Sequence, residues 1–299
     1  MAYSADQRIF ATNKLVAVVE MLEKEGISVD DALRGVAITP AALQDAQTRM
    51  SVRQLLTGYR NAAALSRDPD FALRLGNSVQ VTSYGIYGFA MLSCPTHHAT
   101  IDFALRYHGL SCASAALGFR REESGDGTWT IRPADEALGD ARLSRFVVEV
   151  NAATIVALAR DIVAPDYNPL RVRFAFPRPA APMSYEAIFR CDVLFDQGVN
   201  EMDVPADWLQ GRTAYGGLTA AMGTQAMRVV TGSDWPPTLR LRAIEAKLSE
   251  MLADVPGVHV QALEQAGVLS ATVTLQDLAR EPDLRNRLAA IAVPVRFRT

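Results

Sequence analysis

The chain has 299 residues, of which 49% are hydrophobic, 21% charged and 7% aromatic; 30 basic residues stand against 33 acidic ones, for a net charge of −3 at neutral pH. This composition supplies core for one large or two modest domains and excludes disorder and collagen-like order. It also excludes a molecule-wide positive field of the kind that gathers nucleic acid or anionic membrane, so any DNA contact must come from a local patch.

From Leu15 to Gly76 apolar positions recur at spacings of three and four, which predicts a string of helices. Leu15, Val18, Val19 and Leu22 make the first stripe, and Gly26 stops it. Ser28 with Asp31 forms a capping-box variant, and Thr39-Pro40, Ser51 with Gln54, and Asp68-Pro69 mark three further starts. From Val79 the chain concentrates β-branched and aromatic residues around Gly85 and Gly88, a pattern that fits a turn leading into a short buried segment. Pro95-Thr96 opens a helix through about His108, with Ile101, Ala104, Leu105 and His108 along one face.

Two strands, 117–119 and 128–131, bracket a polar tip of Ser124-Gly125-Asp126-Gly127 and predict a hairpin. A long helix is expected over 141–162, a half-buried strand over 172–176, a short helix over 185–189, and a closing pair of strands at 193–195 and 201–204. A further helix over 218–230 precedes 231–237, where Gly232, Ser233, Pro236 and Pro237 suggest a linker. Leu241, Ile244, Leu248 and Leu252 form an amphipathic helix beyond it, followed by apolar clusters at 258–263, 268–278 and 288–295. The expected class is α+β: an N-terminal helical region with a mixed helix and short-strand domain over 1–232, then a small, mostly helical segment over 238–299.

The three cysteines, Cys94, Cys112 and Cys191, fit neither a disulfide framework nor a paired zinc site, and a reducing cytoplasm is the simplest setting. The N-terminus lacks the apolar stretch of a secretion signal and no apolar run reaches a membrane span, so the chain reads as neither exported nor inserted. Adjacent His97 and His98 point about 100° apart on a helix and cannot chelate one ion together. Polar helix surface suits these two, and a pocket or core hydrogen bond suits His108, better than a metal site. No Gly-x-Ser-x-Gly, phosphate loop or paired acid and base surfaces, so no catalytic residue and no cofactor are assigned. Cys94, ahead of a helix start, reads as a buried small apolar residue before it reads as a nucleophile.

The aromatic segment invites a binding role. Tyr84, Tyr87 and Phe89 offer flat apolar walls with hydroxyl handles, and Arg106 and His108 follow closely, the composition of a small-molecule site. Aromatics that simply fill core are the equal alternative.

Several stretches carry a family resemblance together: 26–35 with Ile38-Thr39-Pro40, 49–55, 65–76, 84–92, Cys94-Pro95-Thr96, 103–108 and 189–196. In order and spacing they resemble the arabinose-binding-like effector domain of AraC/XylS-type bacterial transcription regulators. The resemblance implies a cytoplasmic, homodimeric regulator without a cofactor, whose N-terminal domain binds a small-molecule effector. Its C-terminal pair of helix-turn-helix units would hold double-stranded DNA.

Only 63 residues follow Pro236, too few for both helix-turn-helix units, so this region reads as truncated or divergent. From Pro237 onward eight basic residues face seven acidic ones, a net of +1, which predicts weak and salt-sensitive DNA binding. Thr272, Thr274, Gln276 and Arg280 are the candidate base-facing or phosphate-facing residues, with Arg285 and Arg287 as phosphate partners. A ligand-binding, dimerising module without DNA activity is the alternative reading, and a small-molecule enzyme the third.

Overall fold

The computed structural model describes residues 4–45, 47–137, 139–179 and 184–213, and beyond these the segments 259–265, 268–274 and 295–298. The chain divides into two compact units, Tyr3–Ala226 and Met227–Thr299.

In the first unit, strand β1 (Phe10–Ala11) leads into helix α1 (Asn13–Lys24), whose Leu15, Val18, Val19 and Leu22 are buried. Gly26 turns the chain away with φ +79°, a backbone region that suits glycine. The one-turn helices α2 (Val29–Ala32) and α3 (Pro40–Leu43) start at Ser28 and Thr39, whose hydroxyls accept the N–H of Asp31 and of Ala42. Strand β2 (Arg49–Met50) pairs antiparallel with β1. Helix α4 (Val52–Leu65) opens with the expected capping box, in which Ser51 and Gln54 each accept the other's backbone N–H. Helix α5 (Phe71–Asn77) begins later than Asp68-Pro69 suggests, because the Asp68 carboxylate accepts the Asp70 N–H at 2.9 Å and holds a turn ahead of the helix.

A tight 3-10 turn at Val81–Tyr84 then feeds helix α6 (Gly85–Leu92), where the sequence suggests only a turn and a short buried segment. Residues 85–92 are apolar or nearly so on all sides, so no stripe betrays the helix. A Cβ at Gly88 would stand 1.9 Å from the Val81 carbonyl oxygen, and only glycine lets the turn fold back so closely. Helix α7 (His97–Arg106) is capped by Thr96, which accepts the Ala99 N–H, and ends short of His108; a second 3-10 turn, His108–Ser111, follows.

Strands β3 (Ala115–Arg121) and β4 (Gly127–Pro133) form the expected antiparallel hairpin, and helix α8 (Ala141–Ile162) matches its sequence bounds. Strand β5 (Arg171–Arg173), helix α9 (Tyr185–Phe189), strands β6 (Asp192–Leu194) and β7 (Glu201–Val204), and helix α10 (Ala206–Gln210) complete this part. The sheet runs β3-β4-β7-β5-β6, antiparallel throughout except for β5 with β6. β6 and β7 are therefore not the adjacent pair that the sequence suggests, since β5 lies between them. Charge explains the insertion: Arg173 on β5 meets Glu201 at 2.9 Å and Asp203 at 2.6 Å on β7, and Arg171 meets Asp203 at 3.2 Å.

Helix α8 is the spine of this α+β unit. Its N-terminal half packs on α4 and α5, with Phe146 5.2 Å from the Tyr59 ring and 6.1 Å from that of Phe71. A Cβ at Gly76 would lie 2.3 Å from the Val150 carbonyl oxygen, so α5 and α8 meet backbone to backbone. Among the described residues no helix is long and apolar enough to cross a membrane.

In the second unit the described segments are strands β8 (His259–Gln265), β9 (Val268–Thr274) and β10 (Val295–Arg298), with β9 antiparallel to β8 and parallel to β10. This corrects the expectation of a mostly helical segment at these positions. Val268 to Thr274 alternates and is rich in β-branched side chains, the period of a strand and not of a recognition helix. The helices expected over 218–230 and 241–252, and the linker 231–237, lie outside the described residues.

Candidate functional site

The C-terminal half of α8 faces a hollow. Asn151, Thr154, Ile155, Leu158, Ala159 and Ile162 form one wall of a cavity that α1, α6, α7, β3 and β4 close from the other sides. It holds about 680 Å³ of empty space, its open mouth included. Its surface is mainly apolar, with Met91, Ile101, Leu117, Ile155, Leu158 and Ile162 as the larger aliphatic side chains, and Tyr84, Tyr87 and Trp129 add aromatic walls.

Local structure fixes the polar groups. Tyr87 donates its hydroxyl to the Ala104 carbonyl at 3.0 Å and stacks on Phe103, which ties α6 to α7; burial raises its pKa well above the usual phenol range. The His108 Nε2–H donates to the Ala115 carbonyl at 3.0 Å, and burial, reinforced by Lys14, lowers its pKa to about 4 against the pull of that bond. Lys14 reaches in from α1, where its ammonium donates to the Cys112 carbonyl at 3.2 Å and stands 5.6 Å from the centre of the Tyr84 ring. Asn151 donates to Ser114 at 3.0 Å and to the Val147 carbonyl at 2.8 Å.

Two wall residues carry buried polar atoms without a protein partner: the Nδ1 of His97 and the indole Nε1 of Trp129. His97 is 4% exposed and Trp129 5%. Burial lowers the His97 pKa to about 4, against the opposing influence of the nearby Trp208 backbone. The uncharged imidazole carries a single N–H, so Nδ1 meets a ligand as donor or acceptor according to its tautomer. The cavity thus offers an unused imidazole nitrogen and an unused indole donor, each costing about 1–3 kcal/mol while unpartnered.

Of the residues that the sequence nominates, Tyr84, Tyr87 and His108 line this cavity, whereas Phe89 and Arg106 do not. Phe89 is half-buried on α6, and Arg106 is exposed at the last residue of α7. His97 is not polar helix surface, as the sequence suggests, but buried against the Tyr167 ring at 5.5 Å; only its neighbour His98 is partly exposed, and it meets Asp102 at 3.2 Å. Sequence reasoning missed Lys14, His97 and Trp129. A lysine in the first turn of an amphipathic helix gives no local sign that a distant loop folds over it.

The cysteines are poor nucleophiles here. Cys94 is buried and donates to the Ala90 carbonyl at 3.5 Å, and burial raises its pKa; Cys112 is pushed up to about 12 and Cys191 to about 11 for the same first reason. Buried Glu149 has a raised pKa from desolvation, yet it is held by Arg145 at 2.7 Å and by the Tyr185 hydroxyl, a closed structural network. Among the described residues no three His, Cys, Asp or Glu side chains gather as a metal site. Thr272 and Thr274 lie on β9, not on a recognition helix, and Gln276, Arg280, Arg285 and Arg287 lie outside the described residues.

Residues 26–212 match the model of the arabinose-binding domain at the N-terminus of AraC transcription regulators. The chain is 27% identical over 194 residues to the ornithine utilization regulator of Pseudomonas aeruginosa, which covers 65% of this chain and 56% of that protein. It is 27% identical over 158 residues to an uncharacterized HTH-type transcriptional regulator of Mycobacterium tuberculosis, covering 52% of this chain and 44% of that one. The chain thus spans about half the length of the curated relatives it matches. Its fold resembles the crystal structure of the transcriptional regulator CdpR from Pseudomonas aeruginosa, with a TM-score of 0.55 at 18% identity over 96% of this chain and 82% of that one.

Proposed function

Because the chain belongs to the AraC family of transcription regulators, through its arabinose-binding N-terminal domain, we propose that its first unit is the effector sensor of a DNA-binding regulator. The observation that carries this reading is the mainly apolar cavity along α8, on whose wall His97 Nδ1 and Trp129 Nε1 stand buried and unpartnered. A ligand with a hydrogen-bonding partner for each removes both penalties on binding, which favours the liganded form.

His97 also suggests how binding travels. The bond from its backbone N–H to the Gly211 carbonyl at 3.1 Å fastens the residue after α10 to the cavity wall. Thr96 bridges Arg212, and the Thr213 hydroxyl donates to the Cys94 carbonyl. Residues 206–213 are the last described stretch before the chain proceeds to its second unit. A ligand at His97 acts on this clasp, and a clasp with two arrangements converts occupancy into a change of DNA affinity in a cytoplasmic homodimer. The protein in this reading performs no catalysis.

A thermal-shift screen of metabolites, ornithine included because of the relative's name, tests the sensor. A gel-shift titration on the upstream DNA of its gene at two salt concentrations, with and without a hit, tests the regulator. Thr213→Val is expected to keep ligand binding and to weaken the ligand's effect on DNA affinity. A second reading, a ligand-binding and dimerising module without DNA activity, is favoured by one observation: Thr272 and Thr274 lie on a strand. No retardation at micromolar protein selects that module.

A further inference from the structure

Among the described residues that line the cavity, Lys14 is the one lysine or arginine. The described wall residues include no aspartate, glutamate or arginine, and burial keeps both His97 and His108 uncharged. Among the described residues Lys14 forms no ion pair; its ammonium has three N–H groups and a single protein acceptor, the Cys112 carbonyl. Elsewhere in the first unit arginines sit against carboxylates, such as Arg173 with Glu201 and Asp203, or Arg145 with Glu149. Arg160, the other half-buried cation without a carboxylate beside it, spends its guanidinium on the Tyr167 and Ile188 carbonyls and the Asn168 amide oxygen, whereas the Lys14 ammonium faces an apolar cavity with one acceptor.

From this we infer that the effector is an aliphatic carboxylate whose anionic end faces Lys14 and whose chain lies along Met91, Ile101, Leu117, Ile155, Leu158 and Ile162. The inference rests on the sensor reading above and adds the charge and chemical class of the ligand. A single positive charge in a water-poor site attracts an anion and repels a cation. An amine or a cationic amino acid finds no carboxylate among the described wall residues to hold its ammonium. A sugar fares no better, since the donors of Tyr87, Thr100, Ser111, Asn151 and Thr154 are already spent on protein acceptors. His97 Nδ1 and Trp129 Nε1 accommodate one further polar group on the chain, a hydroxyl being the simplest that both donates and accepts.

The test uses the full chain and three probes of equal length at pH 7.5: octanoate, 1-octanol and octylamine, with binding read by calorimetry and by thermal shift. Octanoate is expected to bind at least tenfold more tightly than the other two. Lys14→Gln is expected to remove that advantage while leaving the affinity for 1-octanol within twofold, and Lys24→Gln, on an exposed position of the same helix, is expected to change nothing. Comparison of the three probes on the unmodified chain does not depend on any variant folding. Octanol or octylamine binding as tightly as octanoate would overturn the assignment and leave the sensor intact. Failure of all three probes also overturns it, while the metabolite screen decides the sensor separately. An octanoate affinity unmoved by Lys14→Gln places the carboxylate elsewhere and overturns it too.

Discussion

The two halves of α8 meet different surroundings. In the first, Leu143, Phe146, Val147 and Val150 are enclosed by α4 and α5, and Gly76 brings a neighbouring backbone so close that no side chain fits between. In the second, Asn151, Thr154, Ile155 and Leu158 border a hollow. One helix with one continuous apolar stripe thus serves as core on one half and as the wall of a site on the other. The difference lies in the partners: long apolar side chains of α4 and α5 fill the space opposite the first half. The turn ahead of α6 reaches the second only near its end, where the Val81 N–H donates to the Asp161 carboxylate at 2.9 Å, and the space beside Asn151 to Leu158 stays open. Stability resides in the filled half, and the capacity to bind resides where packing is incomplete.

Matched truncations are the strongest way to break this contrast. Leu143→Ala is expected to cost about 3 kcal/mol of unfolding free energy, whereas Leu158→Ala costs about 1 kcal/mol because its neighbourhood is already hollow. Equal losses in a denaturant titration would remove the distinction. Acid sharpens it from the cavity side. Burial holds His97 and His108 near pKa 4 in the fold, against 6.5 for an ordinary histidine. Between pH 6.5 and 4 the unfolded chain binds more protons than the folded one, so stability falls as pH drops through that window and is flat just above it. The loss amounts to at most about 3 kcal/mol per histidine. His97→Gln and His108→Gln are expected to flatten the slope in a pH series of melting temperatures.

Smaller effects probe the wall itself. Tyr87→Phe deletes the hydroxyl that bonds the Ala104 carbonyl and is expected to cost about 1 kcal/mol while loosening α6 from α7. Ala104→Met extends into the hollow and is expected to change stability by less than about 1 kcal/mol, since there is room to receive it. The same variant is expected to abolish the thermal shift given by any effector. An Ala104→Met protein that still responds would mean that the ligand binds somewhere else.

Much of this was legible along the chain. The caps at Ser28, Thr39, Ser51 and Thr96, the stripe of α8 and the β3-β4 hairpin all follow from local chemistry. Helix α6 was not, because a segment apolar on every side has no period to read. The order β7-β5-β6 was not, because it depends on which carboxylates Arg171 and Arg173 meet across the sheet. Of the site, the aromatic segment announced Tyr84 and Tyr87, while Lys14, His97 and Trp129 come from α1, α7 and β4 and share no sequence neighbourhood.

The amino-acid order by itself determined where helices start and stop, which residues are apolar enough to be enclosed, and the family to which the first unit belongs, since these depend on neighbours a few positions apart. Only the tertiary structure decided where the interior stays unfilled, which polar atoms are stranded there, and that the charge beside them is Lys14 and not Arg106. Voids and unpaired groups are properties of what distant segments fail to supply to one another, and no local pattern encodes that shortfall.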